Sequence, residues 1–291
     1  MKRSYYIYNN GSLRRKDNTL TFTDENDDKR DLPIEQINDI YVMSEMTFNT
    51  SLINLLSQYG IPVHFFNYYS FYTGSFYPRE HLVSGNLLVS QVEHYTDHEK
   101  RMELAKAFIE GASYNIYRNL RYYNGRGKDV QSYMDAIEDL RKQIPKAQSI
   151  QELMGYEGNI RKTYYSAWPV IIDQEIEFEK RVKNPPDNMV NTLISFVNTL
   201  IYTKVLGEIY QTQLNPTVSY LHEPGDRRFS LSLDLAEIFK PILGDRLIFS
   251  LLNRKQITEK SFTKGLNYLH LSQNASKTIV AELDAKMQTT I

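Results

Sequence analysis

The chain has 291 residues, 41% of them apolar, with 22 Tyr, 13 Phe and one Trp; that length favours two domains and that composition excludes wholesale disorder. It contains no Cys, which excludes disulfides, a thiolate zinc site and a thiol nucleophile. With 34 basic and 35 acidic residues the net charge is −1, unlike dedicated nucleic-acid domains, so any phosphate-binding surface has to be local.

Met1-Lys2-Arg3 is not followed by an apolar leader core, and no run reaches the roughly 18 apolar residues of a membrane span, so a cytoplasmic protein without membrane association is expected. Residues 4–8 are aromatic and β-prone and end in the turn signal Asn9-Asn10-Gly11. Residues 20–23 alternate, the acidic run 24–28 suits a solvated hairpin tip, and residues 37–42 make a further strand. Leu52, Leu55 and Leu56 give helical spacing over residues 50–59, closed by Gly60; residues 61–66 and 71–77 return to strand.

Helical patterns begin near Leu87. One runs through Ala105, Phe108, Ile109 and Ala112, another through Met134, Ile137 and Leu140, and a third covers residues 191–210, with Asp187 as its expected N-cap. Residues 272–291 read as a short helix or a loose tail. The expected fold is therefore α+β: a small β-rich N-terminal domain, residues 1–78, before a larger all-α domain, residues 79–291. Aromatic residues at 5–8 and 65–77 exceed what a small core requires, so the first domain is expected to build a homodimer.

Glu157 lies between two glycines before Arg161 and Lys162, which suits a helix N-terminus, where an acid also answers the helix dipole. His222 follows the apolar residues 218–221 and precedes a turn, as a residue at a helix end does. Asp234 and Glu237, three apart, share a helix face or form an acidic capping box; the alternation from Phe229 to Leu235 also lets Asp234 end a strand. Each is weak alone. Together two carboxylates and an imidazole fill part of a divalent ion's shell and leave positions open for a phosphodiester, with magnesium or manganese as the expected ion. Arg161, Arg227, Arg228, Lys240 and Arg246 are candidate contacts to DNA phosphates. His94 and His98 share a face at i, i+4 spacing but lack the glutamate and third ligand of a zinc helix, and no glycine-rich phosphate loop occurs.

With these residues the chain resembles the CRISPR-associated protein one family, the integrase of CRISPR adaptation, over nearly its whole length. The likeness rests on Met154-Gly155-Tyr156-Glu157-Gly158 with Tyr164, Pro185-Pro186-Asp187 before Asn191 to Phe196, Tyr220-Leu221-His222-Glu223, residues 230–241, and Asp245-Arg246. The resemblance implies a β-rich dimerisation domain and a helical catalytic domain with catalytic Glu157, His222, Asp234 and Glu237, of which Glu157, His222 and Glu237 hold the metal. It implies CRISPR-associated protein two as a partner, and insertion of protospacer DNA into a CRISPR repeat by 3′-hydroxyl attack. Two positions depart from many relatives: Glu237 stands where some have Asp, and Lys240 where many have Arg, which forgoes a bidentate phosphate contact. The residues leave open a stand-alone nuclease acting on branched DNA and a catalytically silent DNA-binding scaffold.

Overall fold

The structure, a computed structural model, describes residues 2–67, 69–79, 82–183, 185–225, 229–264 and 269–289. Its contacts divide it into two compact units, Met1–Val83 and Ser84–Ile291.

The first unit holds two four-stranded sheets. In one, β1 (Arg3–Ile7) runs parallel to β5 (Ile37–Val42), which runs parallel to β7 (Val63–Phe66), and β8 (Tyr72–Phe76) closes it antiparallel. In the other, β2 (Gly11–Lys16), β3 (Thr19–Asp24) and β4 (Lys29–Pro33) form an antiparallel meander, and the two-residue β6 (Met46–Thr47) joins β2 in parallel. The turn at residues 9–11 is thus a passage between sheets rather than a hairpin. Gly11 is required there because a Cβ would lie 2.2 Å from the Thr23 carbonyl oxygen. Helix α1 (Thr50–Tyr59) starts at Asn49, whose side chain accepts from Leu52 N, and stops at Gly60, whose φ of +66° suits a left-handed cap. Its Leu52, Leu55 and Leu56 join Leu13, Leu20, Ile37 and Ile40 in the core.

The second unit is mainly helical: α2 (Gly85–Thr96), α3 (His98–Asn124), α4 (Gln131–Arg141), α5 (Ile150–Ser166), the single turn α6 (Trp168–Ile171), α7 (Met189–Tyr210), α8 (Ser230–Phe239), α9 (Arg246–Asn253) and α10 (Gln273–Met287). The expected α+β class is the observed one, with an antiparallel ladder, β9 (Phe262–Lys264) and β10 (Leu269–Leu271), added to the helical unit. A π-helical stretch, Lys240–Asp245, joins α8 to α9, and residues 273–287 resolve as helix rather than tail.

Two local expectations fail for identifiable reasons. His94 and His98 occupy different helices, because Asp97 between them is extended and caps α3 by accepting from Lys100 N at 3.1 Å. The cap of α7 is Asn188, which accepts from Asn191 N, while Asp187 accepts from the Asn191 side chain. Helix α7 does have the length and hydropathy of a membrane span, but 72% of that window is buried inside the unit, so it serves as the core helix.

Candidate active site

Helix α3 organises the site by contacting α5, α8 and the π-helical stretch. Its fully buried Asn119 donates to Tyr164 Oη on α5 at 3.0 Å and to the Pro241 carbonyl at 2.8 Å, and accepts from Arg246 Nε at 2.7 Å. Asn115 donates to the Ile238 carbonyl at 2.9 Å, and the Ile238 side chain packs beside Gly111. These bonds hold α5 and α8 on either side of one cavity.

Glu157 lies inside α5, not at its N-terminus. The helix starts at Ser149, which accepts from Glu152 N, and runs through both Gly155 and Gly158. Arg161, one turn on, is buried and donates from Nε to Glu157 Oε1 at 2.9 Å and from Nη2 to Glu237 Oε2 on α8. Lys240 donates to the other Glu237 oxygen at 2.7 Å. Burial opposes the Glu237 charge, but Arg161 and Lys240, with a contribution from His222, hold its carboxyl well below the usual carboxylate range. The two acids therefore converge on a cation, and that cation is a guanidinium. Asp245, fully buried nearby, is pushed up to about 7 by burial, against the pull of Arg161, and its Oδ2 has no hydrogen-bond partner.

His222 sits in an irregular segment rather than at a helix end. Asp234 is neither an N-cap nor a strand end; it is fully buried within α8 and anchors that segment. Its Oδ2 accepts from Tyr220 N (2.7 Å) and Leu221 N (3.0 Å), and its Oδ1 from His222 N (2.9 Å) and His222 Nδ1 (2.8 Å). With both oxygens accepting backbone bonds, Nδ1 is the donor and Nε2 keeps a lone pair for an outside partner. Asp234, expected as a catalytic residue, orients the His222 imidazole through these bonds.

The cavity, about 380 Å³, is lined by Glu157, Glu179 and Glu237 against Arg161, Lys162, Lys180, Arg181, Lys183 and Lys240. His222 is not among the lining residues. Among the described residues no three His, Asp or Glu side chains lie close enough to share an ion as they stand, so the expected triad is not assembled in this state. The donor types nevertheless suit a hard divalent ion: two carboxylates around a positive charge, and an imidazole whose far nitrogen a carboxylate has fixed.

The expected phosphate contacts are redistributed. Arg161 is buried between carboxylates, Lys240 pairs with Glu237, and Arg246 serves Asn119. Arg227 and Arg228 lie outside the described residues. The cations that sequence reading missed are Lys180, Arg181 and Lys183. Arg181 is tied to α7 by bonds to Asn191 Oδ1 (3.1 Å) and Ser195 Oγ (2.8 Å). Lys183 is exposed as a residue, but partial burial of its ammonium, then Lys240 and Arg181, push that group below the ordinary lysine value. The local signal was the run Lys180-Arg181-Val182-Lys183, masked by the four acids of residues 173–179 immediately before it.

A family model described as CRISPR associated protein Cas1 matches residues 5–285. The chain belongs to the Cas1 family. Over all 291 residues it is 68% identical to a CRISPR-associated endonuclease Cas1 of Fusobacterium nucleatum, covering 86% of that protein. Among solved structures it matches a Cas1 protein from Thermotoga maritima with a TM-score of 0.89 and 40% identity, over 99% of this chain and 90% of that one. It also shares the fold of a casposase bound to integration product, with a TM-score of 0.85 and 22% identity, over 99% of this chain and 84% of that one. Within this Cas1-family chain, the α5–α8 cavity is where Glu157 and Glu237 meet.

Proposed function

We propose that this Cas1-family chain is a divalent-metal-dependent DNA endonuclease and integrase, which inserts protospacer DNA into a CRISPR array by 3′-hydroxyl attack on repeat-end phosphodiesters. The observation that carries the reading is the convergence of Glu157 and Glu237, from different helices, on one cation in a cavity lined by six basic side chains. Magnesium or manganese would be held by Glu157, Glu237 and His222 Nε2, and would supply Lewis-acid polarisation of a non-bridging phosphate oxygen. Arg161, Lys240 and the Lys180–Lys183 segment supply the local positive charge that the whole chain lacks. Lys183, which lines the cavity and feels the charges of Lys240 and Arg181, is the cation proposed to take a phosphate.

The chain acts in the cytoplasm, as a homodimer through the first unit and with the Cas2 partner that the family resemblance implies, on protospacer and repeat DNA. Tyr59, Tyr69 and Phe71, exposed in the first unit, support the dimer.

The deciding experiment mixes duplexes bearing free or blocked 3′ ends with a repeat-containing plasmid, with and without the partner. Joining that needs the free 3′-hydroxyl and disappears in Glu157→Ala supports the integrase. Equal nicking with blocked ends and no joined product leaves a nuclease alone. Lys183→Ala is expected to weaken duplex binding and reduce the slope of log affinity against log salt by about one, with thermal stability unchanged or raised. An unchanged slope removes Lys183 from the DNA surface.

A further inference from the structure

Asp234 fixes His222 from the side of α8. A second set of bonds, from α2 and α3, grips the same segment, and the function proposed above does not use it. Arg101, near the start of α3, donates from Nε to the Tyr220 carbonyl at 2.9 Å and from Nη2 to Glu223 Oε1 at 2.7 Å. Tyr95, on α2, donates to Glu223 Oε2 at 2.9 Å, and the Arg101 guanidinium lies 4.3 Å from the centre of the Tyr95 ring. One guanidinium therefore ties residues on both sides of His222 to the helical frame.

The geometry points to Arg101 and Glu223 as positioning residues that set where the His222 imidazole presents Nε2. Asp234 Oδ1 closes a small ring with His222 N and Nδ1, which fixes the imidazole relative to its own backbone. Together with the bonds from Tyr220 N and Leu221 N, these hold the segment up to His222 on α8, and what they leave unheld is the part beyond it. The root of the segment is packed, since Tyr220 is buried against Ile209 and Leu231. Beyond His222, however, Glu223 is 67% exposed in its side chain and its bonds to Arg101 and Tyr95 are what restrain it. Exposed ion pairs contribute little to stability, so this arrangement has more effect on position than on folding. Small displacements matter at a ligand: partners that orient a metal-binding imidazole typically change affinity or activity by about 10–100-fold.

This inference rests on His222 being a metal ligand, and the test separates the two claims. Manganese binding to the full-length chain is measured by the electron paramagnetic resonance signal of the free ion, for His222→Ala, Arg101→Gln, Arg101→Lys, Glu223→Gln and the double variant Arg101→Gln/His222→Ala. The expected results are a loss of tenfold or more for His222→Ala, about tenfold for Arg101→Gln and a smaller loss for Glu223→Gln. Arg101→Lys should recover part of the affinity. The double variant should bind no more weakly than His222→Ala alone, because a residue that acts through His222 has nothing left to act on. Additive losses in the double variant overturn the proposal, since a general structural defect would add. So does undiminished binding in Arg101→Gln while His222→Ala is impaired, an outcome that leaves the ligand reading intact. Full binding in His222→Ala ends both. If Arg101→Gln fails to fold, Glu223→Gln, a change at an exposed side chain, decides by the same comparison with His222→Ala.

Discussion

Asp234→Ala is expected to destabilise the second unit by about 3–5 kcal/mol and to abolish manganese binding and strand transfer together. The substitution strips the acceptor from three backbone N–H groups and one imidazole nitrogen at a fully buried position. Each orphaned buried donor costs about 1–3 kcal/mol, and water entering the vacated space recovers part of the total. An ordinary N-cap loss, about 0.5–2 kcal/mol, is the smaller effect that the sequence alone suggested. Asp234→Asn should fall between, because its amide keeps one acceptor oxygen but turns an NH₂ toward existing donors. Thermal unfolding of the three proteins measures this; a cost under 1 kcal/mol for alanine would show that the carboxylate does not anchor the His222 segment.

Glu237→Ala is the second large effect, and its direction depends on the charges around it. From sequence, removing an acid from a metal-free cluster should leave stability unchanged or raise it, because carboxylates repel. In the structure the neighbours of Glu237 are Arg161 and Lys240, so its removal leaves a buried guanidinium with only Glu157 as partner. Breaking a buried pair from one side costs about 3–5 kcal/mol, and the surviving Glu157 bond puts the expectation at the low end. Glu157→Ala, at a more exposed side chain, should cost less. The pH dependence follows from the depressed carboxyl of Glu237: its stabilisation is complete above the ordinary glutamate range and is lost only as pH falls through the lower folded value. Glu237→Ala should therefore flatten the acid limb of a plot of melting temperature against pH. Asp245 works in the opposite sense. Its carboxyl is raised to about 7, so stability should decline as pH rises from about 4 through 7, and Asp245→Asn should remove that decline. Melting temperatures for Glu237→Ala at or above the unsubstituted protein would contradict this reading of the charges.

Several strands and helices were legible because each rests on local chemistry: alternation at residues 20–23, leucine spacing before Gly60, long apolar faces after residue 87. Errors arose where distant packing overrode local preference. Two glycines around Glu157 suggest a boundary, each costing about 0.5–1 kcal/mol inside a helix. Helix α5 nevertheless continues through them, because Leu153, Ile160 and Tyr164 are buried on its inner face. The sequence singles out Glu157 and Glu237, but not their joint pairing with Arg161. That contact spans 76 positions and exists only once α5 and α8 face each other. The basic wall escaped notice because Lys180, Arg181 and Lys183 follow four acids that average their charge away. The sequence offers Asp234 as a helix N-cap or a strand end and it is neither, because its acceptors are used by a segment a dozen positions upstream.

The π-helical stretch between α8 and α9 sets where the chain length can change. In Lys240–Asp245 the helix is widened, with Arg246 N donating to the Pro241 carbonyl five residues back, and Gly244 lies where a Cβ would be 2.9 Å from Ile201 Cδ1. Removing one residue from this stretch would return it to α-helical winding, and because the wide turn absorbs one extra residue, the helix beyond would keep nearly its present face. A residue added to or removed from α8 has no such buffer: it would turn everything beyond by about 100° and take Arg246 off Asn119. The stretch is therefore the place between Glu237 and Arg246 where the chain can change length by one residue at least cost to the alignment of its helices.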